Sequence, residues 1–88
     1  MNLEEIRNEI DQVDEELVQL LEQRMTLVSQ VAELKKATGI ATLDPGREGR
    51  ILNKIAAAVD NPDFAPTIVD SFKDILKASR AYQDSKKQ

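Results

Sequence analysis

The sequence predicts an all-α fold of three helices: one long, one short and one of medium length. Apolar residues recur at alternating steps of three and four, which is the spacing of a helix face. Only 3% of the 88 residues are aromatic, and the chain has 3 Gly and 3 Pro, fewer than β-sandwiches and barrels usually contain. Charged residues make up 32% and hydrophobic residues 41%, as in helical domains that fold in water. We expect residues 1–88 to form a single domain.

The first predicted helix runs from about residue 2 to residue 37 without Gly or Pro, and it should end near Gly39. Lys35 and Lys36 stand in its last turn, where cations suit the helix dipole. Its apolar positions follow a heptad pattern typical of a packing face, which we call the long-helix seam. The seam positions are Leu3, Ile6, Ile10, Val13, Leu17, Leu20, Arg24, Leu27, Val31 and Leu34. An arginine therefore stands where an apolar residue is expected.

The length of this helix predicts self-association. A helix of 36 residues is about 54 Å long, whereas a compact globule of 88 residues is about 30 Å across. Because nothing in the sequence breaks the helix, we expect its far half to pack on another chain. The sequence therefore predicts a homodimer with two long helices side by side.

Two further helices follow a short loop at residues 39–43. Asp44 is the expected N-cap of the short helix and Pro45 its first residue, and the helix should continue to about Val59. Its apolar face consists of Ile51, Leu52, Ile55 and Val59. After a turn at residues 60–63, Pro66 should begin the medium helix, which frays into a polar tail at residues 84–88. The stripe of the medium helix is Ile68, Val69, Phe72, Ile75 and Leu76.

Composition excludes several classes of function. The chain has 0 His and 0 Cys, so the commonest metal ligands and the commonest acid–base catalyst are missing. A net charge of −4 argues against nucleic acid as a partner. The longest apolar run, Ile55–Val59, is too short to span a bilayer, and the acidic N-terminus does not resemble a signal peptide. We expect no metal, no cofactor and no membrane partner, and a cytoplasmic location.

Polar residues interrupt the apolar face of every helix. On the long helix, Lys35 lies about 16 Å beyond Arg24 on nearly the same face, and Arg7 lies at the edge of the seam near the other end. Further polar residues extend the faces of the short and medium helices: Arg47, Glu48, Ser79 and Gln83. Taken alone, each of these polar residues is most simply interpreted as a solvated surface group. Together, inward cations in an acidic chain predict a small anionic ligand that carries carboxylates or phosphates.

The residue types also narrow the chemistry. No phosphate-binding loop, nucleophile–base pair or metal cluster is present in the sequence. The remaining means of catalysis are fixed hydrogen-bond donors and conformational restriction of a bound substrate. A unimolecular rearrangement requires nothing more.

The sequence resembles the all-helical chorismate mutase family over about residues 3–84. The matching segments are IRNEID at 6–11 with Asp14 and Leu17, LLEQR at 20–24, VAELK at 31–35, DPGRE at 44–48 and SRAYQ at 79–83. No single segment is specific to this family, but the combination of five segments in this order and at these spacings is. The resemblance implies an isomerase that forms an intertwined helical homodimer. It would convert chorismate to prephenate by a Claisen rearrangement, in the shikimate-derived biosynthesis of phenylalanine and tyrosine.

The resemblance also implies roles for the polar residues. Arg24 would bind one carboxylate of chorismate, and Arg7 of the partner chain would bind the other. Lys35 and Gln83 would donate to the ether oxygen. Glu48 would hold the ring hydroxyl with help from the backbone near Asp44, and Arg47 and Ser79 would complete the carboxylate contacts. Gly46 and Gly49 depart from an ideal helix start, so we expect the first turns of the short helix, which place Arg47 and Glu48, to be loose.

Other interpretations stay open at the level of sequence. An isochorismate pyruvate-lyase of the same fold would use similar cations. A dimerisation module without chemistry would explain the seam but not Arg24 within it. A regulatory or inactive relative that binds aromatic metabolites is a third alternative. The chain is expected to be a free-standing enzyme or a domain of a larger one.

Overall fold

The computed structural model describes residues 1–87 and contains three helices. They are α1 (Leu3–Thr38), α2 (Pro45–Ala58) and α3 (Ala65–Lys86). The prediction of a long, a short and a medium helix is therefore confirmed. Gln88, the last residue of the predicted domain and tail, lies outside the described residues.

The ends of α1 follow from its capping residues. The side chain of Asn2 accepts a hydrogen bond from the Glu5 amide at 2.9 Å, which satisfies one of the free amides of the first turn. Gly39 adopts a left-handed φ of 73°, a backbone conformation that is accessible to glycine and ends the helix. Between these caps α1 is unbroken over 36 residues, as predicted.

Helix α2 begins as the sequence predicted. Asp44 is the N-cap, and its Oδ1 accepts from the Arg47 amide at 3.0 Å while Pro45 occupies the first position. Gly46 and Gly49 are both helical, so they do not loosen this start. The helix ends at Ala58, and the predicted apolar residues Ile51, Leu52, Ile55 and Val59 are half-buried.

Helix α3 differs slightly from its prediction at both ends. It begins at Ala65, one residue before Pro66. It continues to Lys86, so the predicted fraying from residue 84 is wrong for residues 84–86. The Ser85 hydroxyl donates to the Tyr82 carbonyl at 2.6 Å, and the Lys86 ammonium lies 5.2 Å from the centre of the Tyr82 ring. These local contacts stabilise the last turn.

Helix α3 packs against both α1 and α2, and its predicted stripe is the centre of the fold. Leu76, Ser79 and Gln83 are 5%, 5% and 8% exposed, so the apolar stripe does continue into the two polar residues. The molecule measures 53 × 24 × 15 Å, and its longest dimension matches the length of α1. The fold is thus a long helix with a smaller helical pair packed on part of it.

The face that α1 turns toward α3 differs from the predicted seam. The half-buried or buried residues of α1 form a neighbouring stripe: Leu21, Met25, Val28, Ala32 and Lys35. The apolar residues of the long-helix seam itself are exposed, from 41% for Ile6 to 63% for Leu34. Arg24, which is a seam position, is half-buried at the border between the two stripes. Both stripes have steps of three and four, which is why the pattern alone did not separate them.

Candidate active site

All three helices and the loop before α2 contribute to a cavity of about 140 Å³. Its polar lining comprises four cations, two carboxylates, two hydroxyls and one amide, although the whole chain is acidic. The lining residues are Arg24, Val31, Lys35, Thr42, Asp44, Arg47, Glu48, Ile51, Leu76, Ser79, Arg80 and Gln83. An excess of cations in a small cavity favours an anionic ligand.

The side chain of Arg24 in α1 is held by the hydroxyl of Ser79 in α3. The Nη1 atom of Arg24 donates to Ser79 Oγ at 2.6 Å, and Ser79 Oγ donates to the Ile75 carbonyl at 2.8 Å. Ser79 thus has both a donor and an acceptor partner while it is 5% exposed. This chain of hydrogen bonds fixes one edge of the Arg24 guanidinium and leaves its other donors for a ligand.

The lysine at the other end of the cavity is oriented by the loop that follows α1. Lys35 Nζ donates to the Thr42 carbonyl at 2.8 Å, and Lys35 is half-buried. An ammonium has three donors, so one hydrogen bond to the loop leaves others for a ligand. Lys87 Nζ also donates to the Ile40 carbonyl of this loop at 3.2 Å, which connects the loop to the end of α3.

Two buried polar atoms in the lining residues lack a partner. Gln83 Oε1 and Thr42 Oγ1 are buried without a hydrogen bond among the described residues. Unpaired buried polar groups are costly, and ligand sites are where proteins retain them. Because the side-chain amide can rotate by about 180°, Gln83 can present either its NH2 donor or its oxygen acceptor to a ligand.

Helix α2 closes the cavity with Arg47 and Glu48. Glu48 forms an ion pair with Arg80 of α3, and both side chains are mostly buried. Arg47 is exposed at the rim. Asp44 uses its Oδ1 as the N-cap of α2, so its carboxylate serves the helix as well as the cavity wall.

The structure brings together seven of the eight site residues predicted from the sequence. The exception is Arg7, which is exposed about 25 Å along α1 from Arg24 and does not line this cavity. Two polar residues were missed, Thr42 and Arg80. Arg80 stood in the SRAYQ segment without a role, and no periodicity marks Thr42, which lies in a loop. In residues 1–87 no group of carboxylates is arranged to hold a metal ion, and no helix of that range is long and apolar enough to cross a membrane.

Comparison with known proteins identifies the relatives of the chain. A chorismate mutase of Methanocaldococcus jannaschii is 42% identical over 82 residues, which cover 92% of this chain and 83% of that protein. A protein of Haemophilus influenzae named T-protein is 46% identical over 75 residues, or 85% of this chain and 19% of that protein. A bifunctional chorismate mutase/prephenate dehydratase of Aquifex aeolicus is 40% identical over 53 residues, 60% of this chain and 15% of that protein.

The second and third of these relatives are therefore several times longer than this chain. The match to the archaeal protein, in contrast, covers most of both chains. The sequence model of the family described as chorismate mutase type II matches residues 6–84, which include all eight predicted site residues. The chain belongs to the chorismate mutase type II family.

Proposed function

We propose that the chain rearranges chorismate to prephenate in the cavity between its three helices. The observation that carries this proposal is the convergence of Arg24, Lys35 and Gln83 with Arg47 and Glu48 around one small space. Chorismate carries two carboxylates, an ether oxygen and a ring hydroxyl. The cavity offers a partner of suitable chemistry for each of these groups.

The cations would hold the substrate in its reactive shape. Arg24 binds one carboxylate through the guanidinium edge that Ser79 leaves free, and Arg47 at the rim supports the carboxylate contacts. Glu48 accepts a hydrogen bond from the ring hydroxyl. With both carboxylates bound, the enolpyruvyl arm lies over the ring, and the two carbons that form the new bond are close before the reaction begins.

Lys35 and Gln83 would lower the barrier itself. As the carbon–oxygen bond breaks, negative charge grows on the ether oxygen, so donors to that oxygen bind the transition state more tightly than the substrate. The new carbon–carbon bond forms within the same molecule, with no proton transfer and no covalent intermediate. A chain with 0 His and 0 Cys can therefore catalyse this reaction.

The same proposal includes a homodimer. Apart from Arg24, every position of the long-helix seam exposes an apolar side chain by 41% or more. Only Ala32 and Leu76 are buried apolar residues among residues 1–87, which is very little core for a stable domain. A second copy of the chain, packed seam against seam, would bury both faces at once.

The seam also indicates which direction the two helices take. If two complete seams pair in antiparallel fashion, Leu3 lies opposite Leu34, and Val13 opposite Arg24. Arg7 then lies opposite residue 30 of the partner, between Arg24 and Lys35 along the helix. In a parallel pair Arg7 would instead face its own copy, about 25 Å from Arg24. We therefore propose an antiparallel pair in which Arg7 enters the partner's cavity and binds the second carboxylate.

The metabolic setting follows from the reaction. One relative joins a chorismate mutase to a prephenate dehydratase, an enzyme named for the product of this reaction. We place the activity in aromatic amino acid biosynthesis, in the cytoplasm, where a chain with 0 Cys needs no oxidising environment.

An assay with two substrates tests the proposed function. Purified protein is mixed separately with chorismate and with isochorismate, and absorbance records substrate loss while pyruvate and prephenate are measured. We expect prephenate from chorismate and no pyruvate from isochorismate. Pyruvate from isochorismate without prephenate from chorismate would assign the chain to the lyase alternative. No product from either substrate would favour a binding or dimerisation role.

A further inference from the structure

The ion pair between Arg80 and Glu48 lies in the wall of the cavity and joins two helices. Arg80 Nη1 of α3 contacts Glu48 Oε1 of α2, although 32 residues separate them in the chain. Their side chains are 29% and 22% exposed, so the pair is shielded from much of the solvent. Both residues line the same cavity as Arg24 and Lys35.

The partner of Glu48 matters because other cations are nearby. A carboxylate in a cavity with four cations will pair with one of them. If Glu48 paired with Lys35 or Arg24, it would occupy a donor that the substrate needs and would bring negative charge toward a dianion. The side chains of Arg24 and Lys35 donate to other groups of the cavity wall, and Arg47 is exposed at the rim. Arg80 is the one of these four cations that contacts Glu48.

A second ion pair of α3, which lies on the surface, shows by contrast that the Arg80–Glu48 pair is more buried. Lys73 and Asp70 approach to 3.5 Å one turn apart, with side chains 59% and 75% exposed. Such an exposed pair contributes little, since water competes for both ions. The Arg80–Glu48 pair is more buried and connects different helices, so it can fix the position of a side chain.

We propose that Arg80 is a positioning residue that holds the Glu48 carboxylate against α3 and away from Lys35 and Arg24. Glu48 then faces the ring hydroxyl of the substrate with one of its oxygens while Arg80 binds the other. The cations of α1 stay free for the substrate's carboxylate and ether oxygen. This inference rests on the proposed function.

Four variants separate positioning from direct binding: Arg80→Gln, Arg80→Lys, Glu48→Gln and the double variant Glu48→Gln/Arg80→Gln. Steady-state kcat and KM are measured with chorismate, and circular dichroism reports folding. In Arg80→Gln, Glu48 turns to the cations of α1, so we expect KM to rise on the order of tenfold, the size of coupling between contacting residues. Arg80→Lys keeps the charge and should recover part of this loss.

The double variant gives the decisive result. Without its charge, the side chain at position 48 no longer competes for Lys35 and Arg24, so KM should return toward that of the wild type although Arg80 is still absent. The value of kcat should remain as low as in Glu48→Gln alone, because a neutral amide oxygen accepts the hydrogen bond of the ring hydroxyl more weakly than a carboxylate does. If KM stays as high as in Arg80→Gln, Arg80 binds the substrate directly and the positioning role is overturned. Additive effects of the two substitutions on kcat/KM would overturn it as well.

The matched control is Lys73→Gln, which removes the cation of the exposed pair on the same helix. We expect its kcat, KM and thermal unfolding to equal those of the wild type. Turnover of chorismate by the wild type and this control tests the proposed function itself. The Arg80 variants are compared with them, so failure of the ion-pair inference is distinguishable from failure of the function. If every Arg80 variant loses helical signal, the pair supports the fold rather than the position of Glu48, and the inference is overturned.

Discussion

The two halves of α1 have the same sequence pattern but different surroundings. In the first half, residues 3–20, every residue is exposed, including the apolar Ile10 and Leu17. In the second half, residues 21–38, a stripe of side chains is covered by α3, and Ala32 is only 2% exposed. Heptad spacing continues through both halves, so the pattern does not produce the difference. It arises because α3 packs on one half only.

This contrast separates the parts of the molecule by task. With 22 residues, α3 is about 33 Å long and cannot cover the 54 Å of α1. The covered half supplies Arg24 and Lys35 to the cavity, whereas the uncovered half supplies an apolar surface and Arg7. In the proposed dimer, a single chain would contain most of a site and would supply Arg7 to the site of its partner.

The largest effect is expected in the covered half, at Lys35. Lys35→Ala removes the proposed donor to the ether oxygen, and loss of one such donor should lower kcat on the order of 100- to 1,000-fold. Lys36→Ala is the matched control, since Lys36 is exposed and does not line the cavity. Steady-state turnover of chorismate and sedimentation measure the outcome. Full activity of Lys35→Ala would contradict the assignment of the cavity as the active site.

In the uncovered half, a charge in the seam should disrupt the dimer. Leu17→Asp places a carboxylate in the centre of each seam, where pairing with a second copy would bury it without a partner, at a cost of several kcal/mol. We expect monomers by analytical ultracentrifugation and a loss of turnover that follows the loss of dimer. Gln19→Asp adds the same charge outside the seam and should leave the dimer and its turnover unchanged. A fully active Leu17→Asp dimer would show that the seam is not the interface.

A smaller and more specific effect is expected at Gln83. The amide of Gln83 donates at every pH, whereas the carboxyl of Gln83→Glu donates only when it is protonated. Activity of the variant should therefore fall as pH rises through the pKa of the new carboxyl, and its optimum should move to lower pH. Gln23→Glu on the exposed face of α1 serves as control. An unchanged pH profile of kcat would exclude Gln83 from the ether oxygen.

The sequence predicted most of this architecture from local signals. Gly39 and Asp44 act on their own neighbours, so the ends of α1 and α2 follow from residues close in the chain. Ser79 and Gln83 were found because they continue an apolar stripe by one turn each. Such residues can be found by counting helical turns along the sequence, because their position depends on periodicity alone.

The parts that were missed depend on contacts between distant residues. Arg80 follows Leu76 by one turn and lies at the edge of the stripe, but its contact with Glu48, 32 residues earlier in the chain, is not visible in the periodicity. Thr42 is placed by the loop rather than by a helix. The stripe of α1 that packs on α3, with Met25 and Ala32, lies beside the long-helix seam, and which of the two faces α3 depends on how α3 packs.

The central claim is that a complete site contains residues of two chains, and mixing two inactive variants tests it most directly. Arg7→Ala and Lys35→Ala proteins are each assayed alone, then unfolded together in equal amounts, refolded and assayed again. If Arg7 acts in the partner's cavity, each mixed dimer has one site with both residues intact. Random pairing makes half of the dimers mixed, so activity should rise to about a quarter of the wild-type value. Activity that stays at the mean of the two separate variants would contradict a site shared between chains.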